Sequence, residues 1–215
     1  MTITCKHAPT WHVKYHVVVR RDPADLRKAL SRVAALQGGH FTAAQARAVG
    51  YSYPAQHYHR QRGDWVRLQR GIYRLPDWPS AGYDDLIRWT LWTKGQGIVS
   101  HESALGLHDL GDVMPARVHL TIPPRFRGHR HGVVLHHAEV PLADVQEWEG
   151  FQVTTPVRSI LDVAASGMEV DHLARVTRDA VDRGLASPTL LRRRAEEFGP
   201  SAALAVERAL RQEGM

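Results

Sequence analysis

Residues Tyr51 to Leu75, YSYPAQHYHRQRGDWVRLQRGIYRL, contain the clearest signals of local structure in the sequence. The first half of this stretch predicts a short helix. The hydroxyl of Ser52 can accept a hydrogen bond from an orphan amide of the first turn, and Pro54 falls in that turn, where a missing N–H costs little. Gly63 predicts the end of the helix, because glycine adopts the positive φ that commonly follows the last turn.

The second half of the stretch predicts a β-ribbon. Residues 65–68 and 72–75 are typical of short strands, and Gly71 permits the sharp reversal that leaves Arg70 at the tip. A polar helix followed by such a ribbon is typical of a winged helix-turn-helix, a DNA-binding fold. The alternative is a surface helix and hairpin whose arginines are merely solvated, but helix, ribbon and local charge together favour DNA binding. The predicted wing contacts are Arg67, Arg70 and Arg74.

One face of the predicted helix is polar. At about 100° per residue, this face groups Tyr53, Gln56, His57 and Arg60. It has no apolar stripe to bury, and an amide, an imidazole and a guanidinium suit base edges and phosphates. We therefore predict that Gln56, His57 and Arg60 read the major groove. Tyr53 and Arg62 are predicted to contact the DNA backbone or the edge of the groove.

The sequence before this stretch supplies the other elements of the fold. Residues 22–37 have apolar side chains at helical spacing, with Asp22 as the N-cap. Thr42 caps a second predicted helix, and Gly50 makes the turn into the third. The resulting order of helix, helix, glycine turn, helix and ribbon is the one that a winged helix-turn-helix requires. The predicted core of this unit consists of Leu26, Leu30, Val33, Phe41, Ala46, Val49, Tyr58, Trp65, Leu68 and Tyr73.

Charge is distributed unevenly along the 215 residues. Residues 1–80 contain 13 Lys and Arg against 4 Asp and Glu, a balance of +9, whereas residues 81–215 contain 15 against 18, a balance of −3. This asymmetry favours a polyanionic partner for the N-terminal part. Cys5 is the only cysteine, which excludes an intramolecular disulfide and fits a reducing compartment. Since no apolar run has the length of a signal peptide or a membrane span, we expect a cytoplasmic protein.

The sequence predicts an α+β protein in three parts. Residues 1–21 can form a short strand, a basic arm or a loosely ordered extension, and we favour the extension. Residues 22–78 form the winged helix-turn-helix, and a segment rich in proline and glycine follows it. Residues 82–215 form a mixed α/β domain that ends in helices. The strands predicted there are 118–122, 133–136 and 151–154.

With these residues laid out, the chain resembles the AbiEi-type antitoxin family of transcriptional regulators, in the form common in actinobacteria. The resemblance runs from about Asp22 to the C-terminus, and it depends on an ordered set of stretches more than on any single motif. The matching stretches are GHFT at 39–42, GDW with RGIYRL at 63–65 and 70–75, SHESAL at 100–105, VHLTIP at 118–123 and TTPVRSILD at 154–162.

The resemblance implies a sequence-specific regulator whose winged helix binds repeats in its own promoter. It also implies a C-terminal α/β domain that opposes a nucleotidyltransferase-like toxin, often encoded next door, as the antitoxin of a type IV system. In that family the two proteins form no stable complex. The alternative function is a protein-interaction module, in which the acidic C-terminal domain counteracts the toxin and DNA binding is incidental.

The remaining motifs favour structure over catalysis, so we expect no enzyme, metal or cofactor. The SHES sequence at 100–103 is typical of a helix start. His129, His131, His136 and His137 lack the cysteine or acidic neighbours that complete a recognisable metal site. Some relatives carry a nuclease-like C-terminal domain, but the clustered acidic and lysine residues of such a nuclease are not found here. A nucleic-acid-processing enzyme is therefore the disfavoured alternative.

Two groups of charged residues near the C-terminus have ordinary explanations. Arg158 and Asp162 are four residues apart on a predicted helix, which favours an ion pair along that helix. The arginine run at 192–194 can meet phosphate or an acidic partner. We favour a solvated helix face for it, because Glu196 and Glu197 follow.

Overall fold

The N-terminal part forms a helical unit with a small sheet. The computed structural model describes residues 22–80 and 82–215, so the predicted extension at 1–21 lies outside the described residues. The elements in chain order are α1 (Pro23–Ala35), β1 (His40–Thr42), α2 (Ala43–Val49), α3 (Tyr53–Gln61), β2 (Val66–Gln69) and β3 (Ile72–Arg74). The strands pair antiparallel in the order β1-β3-β2. This arrangement is a winged helix-turn-helix, as the sequence predicts; the three-residue strand β1 was not foreseen.

The helix starts of this unit are fixed by the predicted caps. The Asp22 side chain accepts from the amide of Ala24 at 2.9 Å. Thr42 and Gln45 form a reciprocal capping box at the start of α2. The Ser52 hydroxyl accepts from the amide of Ala55 at 3.3 Å at the start of α3. Each cap satisfies backbone donors that the first turn leaves without partners.

An aromatic cluster forms the core of the unit. Phe41 is fully buried, and its ring meets that of Trp65 edge to face at 4.9 Å. Tyr51 is buried beside them, with its ring 5.0 Å from that of Trp65. The prediction of Tyr58 as a core residue was wrong, because its side chain is 52% exposed. Tyr51, which lies at the glycine turn and not on α3, fills the space between the helix and the ribbon instead.

The C-terminal part is a mixed sheet with helices packed against it. Its helices are α4 (Asp84–Trp92), α5 (His101–Leu107), α6 (Pro156–Ala165), α7 (Val170–Asp182), α8 (Pro188–Ala195) and α9 (Pro200–Gln212). Its strands are β4 (Ile98–Val99), β5 (Val118–Ile122), β6 (Val133–His137), β7 (Val145–Trp148) and β8 (Phe151–Thr154). The sheet order is β6-β5-β4-β8-β7, with the β5–β6 and β4–β8 pairs parallel. The predicted α+β class is confirmed; the short strands β4 and β7 were not foreseen. In the described parts of the chain, no helix is long and apolar enough to cross a membrane.

Helix α4 joins the two parts. Its first residue, Asp84, has a carboxylate oxygen 3.7 Å from Nε2 of the buried His40 and 3.7 Å from Nε of Arg74. Ile72 of the wing strand β3 belongs to the same apolar cluster as Ile87 of α4. The base of the wing is therefore fixed against the C-terminal part by both charge and apolar contact.

The ion pair predicted within α6 is part of a larger buried network. Arg158 Nε donates to Asp162 Oδ1 at 2.9 Å, and its Nη1 lies 3.3 Å from Asp144 Oδ2. Asp144 also accepts from Arg194 at 2.9 Å. The prediction of a solvated face for the 192–194 run is therefore wrong for Arg194, which is held by an internal carboxylate. Arg192 pairs with Glu207 at 2.8 Å on the surface.

Candidate nucleic-acid interface

Gln56 does not lie on the exposed face of α3. Its side chain is only 4% exposed, and its amide nitrogen donates to the backbone oxygens of Ala43 at 3.2 Å and Tyr51 at 3.3 Å. A side chain committed in this way has no free donor edge for a base. The prediction that Gln56 reads the major groove is therefore corrected: Gln56 fastens α3 to the start of α2 and to the turn between them.

The exposed arc of α3 consists of two rows at i, i+4 spacing. One row is Tyr53, His57 and Gln61, and the other is Pro54, Tyr58 and Arg62; all six are exposed. The centre of this arc is rotated by about one residue, or about 100°, from the face that polarity alone predicts. Gln61 was missed for that reason, and its amide has the donor and acceptor pair that suits adenine.

Two cations lie beside the first row. Nη2 of the half-buried Arg60 is 3.3 Å from Nδ1 of His57, so the guanidinium lies at the edge of the arc. The guanidinium of Arg47, an exposed residue of α2, lies 4.4 Å from the ring centroid of Tyr53. Arg47 is not predictable from the sequence as part of this surface, because the contact crosses the glycine turn and depends on the angle between α2 and α3.

The second row ends in a polar cluster next to the ribbon. Arg62 Nη1 donates to the hydroxyl of Tyr58 at 2.7 Å, and its Nε is 3.8 Å from Asp64. His59 Nδ1 is 2.8 Å from the same carboxylate, and its ring stacks on Trp65 at 5.1 Å. The hydrogen bond from His59 lowers the pKa of Asp64 below its ordinary value. These contacts hold Arg62 at the C-terminal end of the arc.

The wing presents some but not all of its predicted arginines. Arg67 and Arg70 are exposed, and the tip is fixed by a hydrogen bond of 2.8 Å from the Ala43 amide to the Gly71 oxygen. Arg74 faces the other way: its Nη2 donates to the Trp78 oxygen, and its Nε lies 3.7 Å from Asp84. The prediction of Arg74 as a wing contact is corrected, because these partners hold it against α4.

A second polar cluster lies on the sheet of the C-terminal part. The rings of His101 and His136 stack with centroids 3.4 Å apart, and Nε2 of His136 is 3.2 Å from Nδ1 of His119. Nε2 of His119 is 3.5 Å from Glu102. His101, the first residue of α5, has a φ of 52°, and the hydroxyl of Ser100 is 2.9 Å from its Nδ1. The sequence gives little signal for this group, because its members come from three separate segments.

The histidines of this cluster are held in the neutral form. Burial lowers the pKa of His101 to about 3, with smaller contributions from His136 and His119. Burial also lowers the pKa of His136 to about 4 and lowers that of His119. Among the residues that the structure describes, no group of three or more histidine, cysteine or acidic side chains is arranged to hold a metal ion.

Comparisons with known proteins agree with the fold and with the resemblance. The sequence model of a family described as "Transcriptional regulator, AbiEi antitoxin" matches residues 28–76, which run from α1 to just past the wing. The crystal structure of the Rv2827c protein from Mycobacterium tuberculosis matches with a TM-score of 0.59 at 18% identity, over 91% of this chain and 79% of that one. At this identity, the structural match shows a shared fold. No curated protein matches the sequence.

Proposed function

We propose that the protein is a sequence-specific, DNA-binding transcriptional regulator of the AbiEi antitoxin type. The family match over residues 28–76 supports the regulator class. The DNA-binding role is supported by two exposed features, the row of Tyr53, His57 and Gln61 on α3 and the wing with its arginines Arg67 and Arg70. An arc of this kind enters the major groove, while a wing follows the neighbouring phosphates.

The proposed roles divide base reading from backbone contact. His57 and Gln61 read base edges, with Arg60 at the margin of the arc. Tyr53, supported by Arg47, and Arg62 contact the backbone or the edge of the groove. Arg67 and Arg70 are the phosphate contacts of the wing. Residues 22–80 contain nine Lys and Arg against four Asp and Glu, and this positive balance favours a polyanion.

The antitoxin aspect of the proposal concerns the C-terminal part. Its net charge from 81 to 215 is −3, opposite in sign to that of the winged helix. We propose that the protein represses its own promoter and opposes a nucleotidyltransferase-like toxin encoded nearby. Growth arrest by an adjacent toxin gene, relieved when this chain is co-expressed, is the expected result. Continued arrest, with DNA binding intact, would leave a regulator without an antitoxin role.

Fluorescence anisotropy tests the DNA-binding proposal. The full chain is titrated onto a labelled duplex taken from directly upstream of its gene, and onto a shuffled duplex of the same composition. We expect binding that is at least about 1,000-fold tighter on the upstream duplex, the lower end of what specific regulators reach. Equal affinity for both duplexes at every salt concentration would contradict a sequence-specific regulator.

A further inference from the structure

An arginine-rich loop projects from the otherwise acidic C-terminal part. The segment from 123 to 132, called here the β5–β6 loop, connects two parallel neighbours in the sheet. Arg125, Arg127 and Arg130 are all exposed on it. The wider segment from 113 to 138 contains four arginines and no acidic residue. Three exposed arginines therefore lie within six residues of one connection.

The loop arginines lack carboxylate partners among the described residues. Arg127 donates to the backbone oxygen of Pro124 at 3.1 Å, which leaves its charge uncompensated. Elsewhere in the C-terminal part several arginines pair with carboxylates of the same chain, such as Arg158 with Asp144 and Asp162, and Arg192 with Glu207. Exposed guanidinium groups without counter-charges repel one another, and binding to a phosphate backbone reduces that repulsion.

The loop is anchored so that its arginines point away from the protein. Phe126 packs edge to face on Trp92 of α4, with ring centroids 5.6 Å apart. A Cβ atom at Gly128 would lie 2.4 Å from the Phe126 ring and 2.9 Å from that of Trp92, so only glycine fits this close approach. Val133 is buried directly after the loop. The aromatic anchor holds the backbone between Arg125 and Arg130 against the protein, and both side chains face solvent.

The same helix connects this loop to the winged helix. Asp84 at the start of α4 contacts His40 and Arg74 of the wing sheet, while Trp92 at its end holds Phe126. A nine-residue helix is about 14 Å long. Helix α4 therefore connects the loop rigidly to the base of the wing. One turn of DNA rises about 34 Å, so the helix is less than half as long as one turn.

We propose that the β5–β6 loop is a second phosphate-binding element, which contacts the DNA backbone beside the site bound by the winged helix. This inference rests on the proposed DNA-binding function and extends its contact surface into the C-terminal part. The ligand is the phosphodiester backbone of duplex DNA, because the loop offers guanidinium and imidazole donors, and its Phe126 ring is packed on Trp92.

The test removes three charges from the loop and, separately, three from elsewhere in the same part of the chain. The loop variant carries Arg125→Gln, Arg127→Gln and Arg130→Gln. The matched control carries Arg175→Gln, Arg193→Gln and Arg208→Gln, which are exposed and have no carboxylate partner in the described structure. Binding of each full-length variant is measured by anisotropy on a 40-base-pair upstream duplex, its shuffled counterpart and an RNA duplex of equal length, across a KCl series.

We expect the loop variant to bind both DNA duplexes about 10- to 100-fold more weakly, with the slope of log K against log[salt] reduced by about 2 to 3. The control should retain the wild-type slope. Wild-type slopes for the loop variant, or equal losses in both variants, would overturn the inference. Loss on RNA alone would also overturn it. Phosphate contacts do not depend on sequence, so the loop inference is tested by comparing variants with the wild type. The proposed function is tested separately, and equal affinity of the wild type for upstream and shuffled DNA would contradict it.

Discussion

The side-chain amide of Gln56 donates to the backbone oxygen of Ala43, 3.2 Å away, and this contact links α3 to α2. The same amide also donates to the Tyr51 oxygen at 3.3 Å. Ala43 is the first residue of α2, and Tyr51 lies in the turn between α2 and α3. Gln56 therefore helps to hold α3 in place from its buried side, away from the exposed arc.

Gln56→Ala should destabilise the fold without changing which DNA sequence is preferred. The substitution leaves two backbone oxygens without their donors, which we expect to cost about 1–3 kcal/mol in the free energy of unfolding. Urea denaturation measures this cost, and anisotropy at a temperature where the variant is folded measures the affinity ratio for upstream over shuffled DNA. His57→Ala is the matched control, with wild-type stability and a reduced ratio. If Gln56→Ala were as stable as the wild type but lost its preference for the upstream duplex, Gln56 would be a base contact and not a structural residue.

Arg70→Ala should weaken binding to all DNA alike. The side chain lies at the tip of the wing, and the structure gives it no ion-pair partner among the described residues. Loss of one phosphate contact is expected to lower the salt slope by about one unit on upstream and shuffled duplexes equally. Arg74→Ala serves as the control, because Arg74 is held by Trp78 and Asp84. If Arg74→Ala lowered the slope and Arg70→Ala did not, the orientation of the wing would be wrong.

The histidine cluster should make the fold sensitive to mild acid. The pKa of His101 is about 3 in the folded protein against 6.5 for an unperturbed histidine, so the unfolded chain binds more protons below pH 6.5. This contribution to stability is complete above pH 6.5 and is lost as the pH falls towards 3. Between pH 7 and pH 5 we expect His101 to account for a loss of about 2 kcal/mol in the free energy of unfolding.

His101→Asn isolates this effect, because asparagine tolerates the positive φ at this position. The difference in unfolding free energy between the variant and the wild type is measured by urea denaturation from pH 5 to 7.5. This difference is used because burial raises the pKa of Asp162 to about 6, so Asp162 stabilises both proteins as the pH falls and its effect cancels. His137→Ala, at an exposed neighbour, is the control. Parallel stability curves for wild type and His101→Asn would contradict the prediction, because they would mean that folding does not lower the pKa of His101.

The buried network around Asp144 should matter more than the surface pairs. Asp144 is 3% exposed and accepts from both Arg158 and Arg194. Asp144→Ala leaves Arg158 buried with one carboxylate instead of two, and we expect a loss of about 3–5 kcal/mol in thermal or urea unfolding. Arg192→Ala, which breaks an exposed pair with Glu207, should cost no more than about 1 kcal/mol. Similar losses for the two variants would mean that Asp144 is not the centre of the network.

The local elements of the winged helix were predictable because their signals are local. Ser52, Thr42 and Gly63 specify helix boundaries through their own conformational preferences and side-chain reach. The orientation of α3 was not predictable in the same way. A buried glutamine with two backbone partners and an exposed glutamine look alike in a sequence, so polarity alone assigned Gln56 to the wrong face.

Contacts between distant segments account for the other differences. The strand pattern around Arg74 predicts a wing residue, but its partner Asp84 lies on the next helix. The histidine cluster combines His101, His119 and His136 from a helix start and two strands, and only the parallel pairing of β5 with β6 brings the last two together. The family match covers the winged helix alone, so the remaining stretches of the resemblance stay predictions.

The specificity ratio of a His57→Ala, Gln61→Ala double variant tests whether the exposed arc of α3 reads DNA sequence. The ratio is the affinity for the upstream duplex divided by that for the shuffled duplex, measured by anisotropy at one salt concentration. Both side chains are exposed, so the variant should keep the wild-type unfolding free energy. We predict a ratio at least about 10-fold lower, with nearly unchanged affinity for shuffled DNA. An unchanged ratio in a folded variant would contradict sequence reading by this arc.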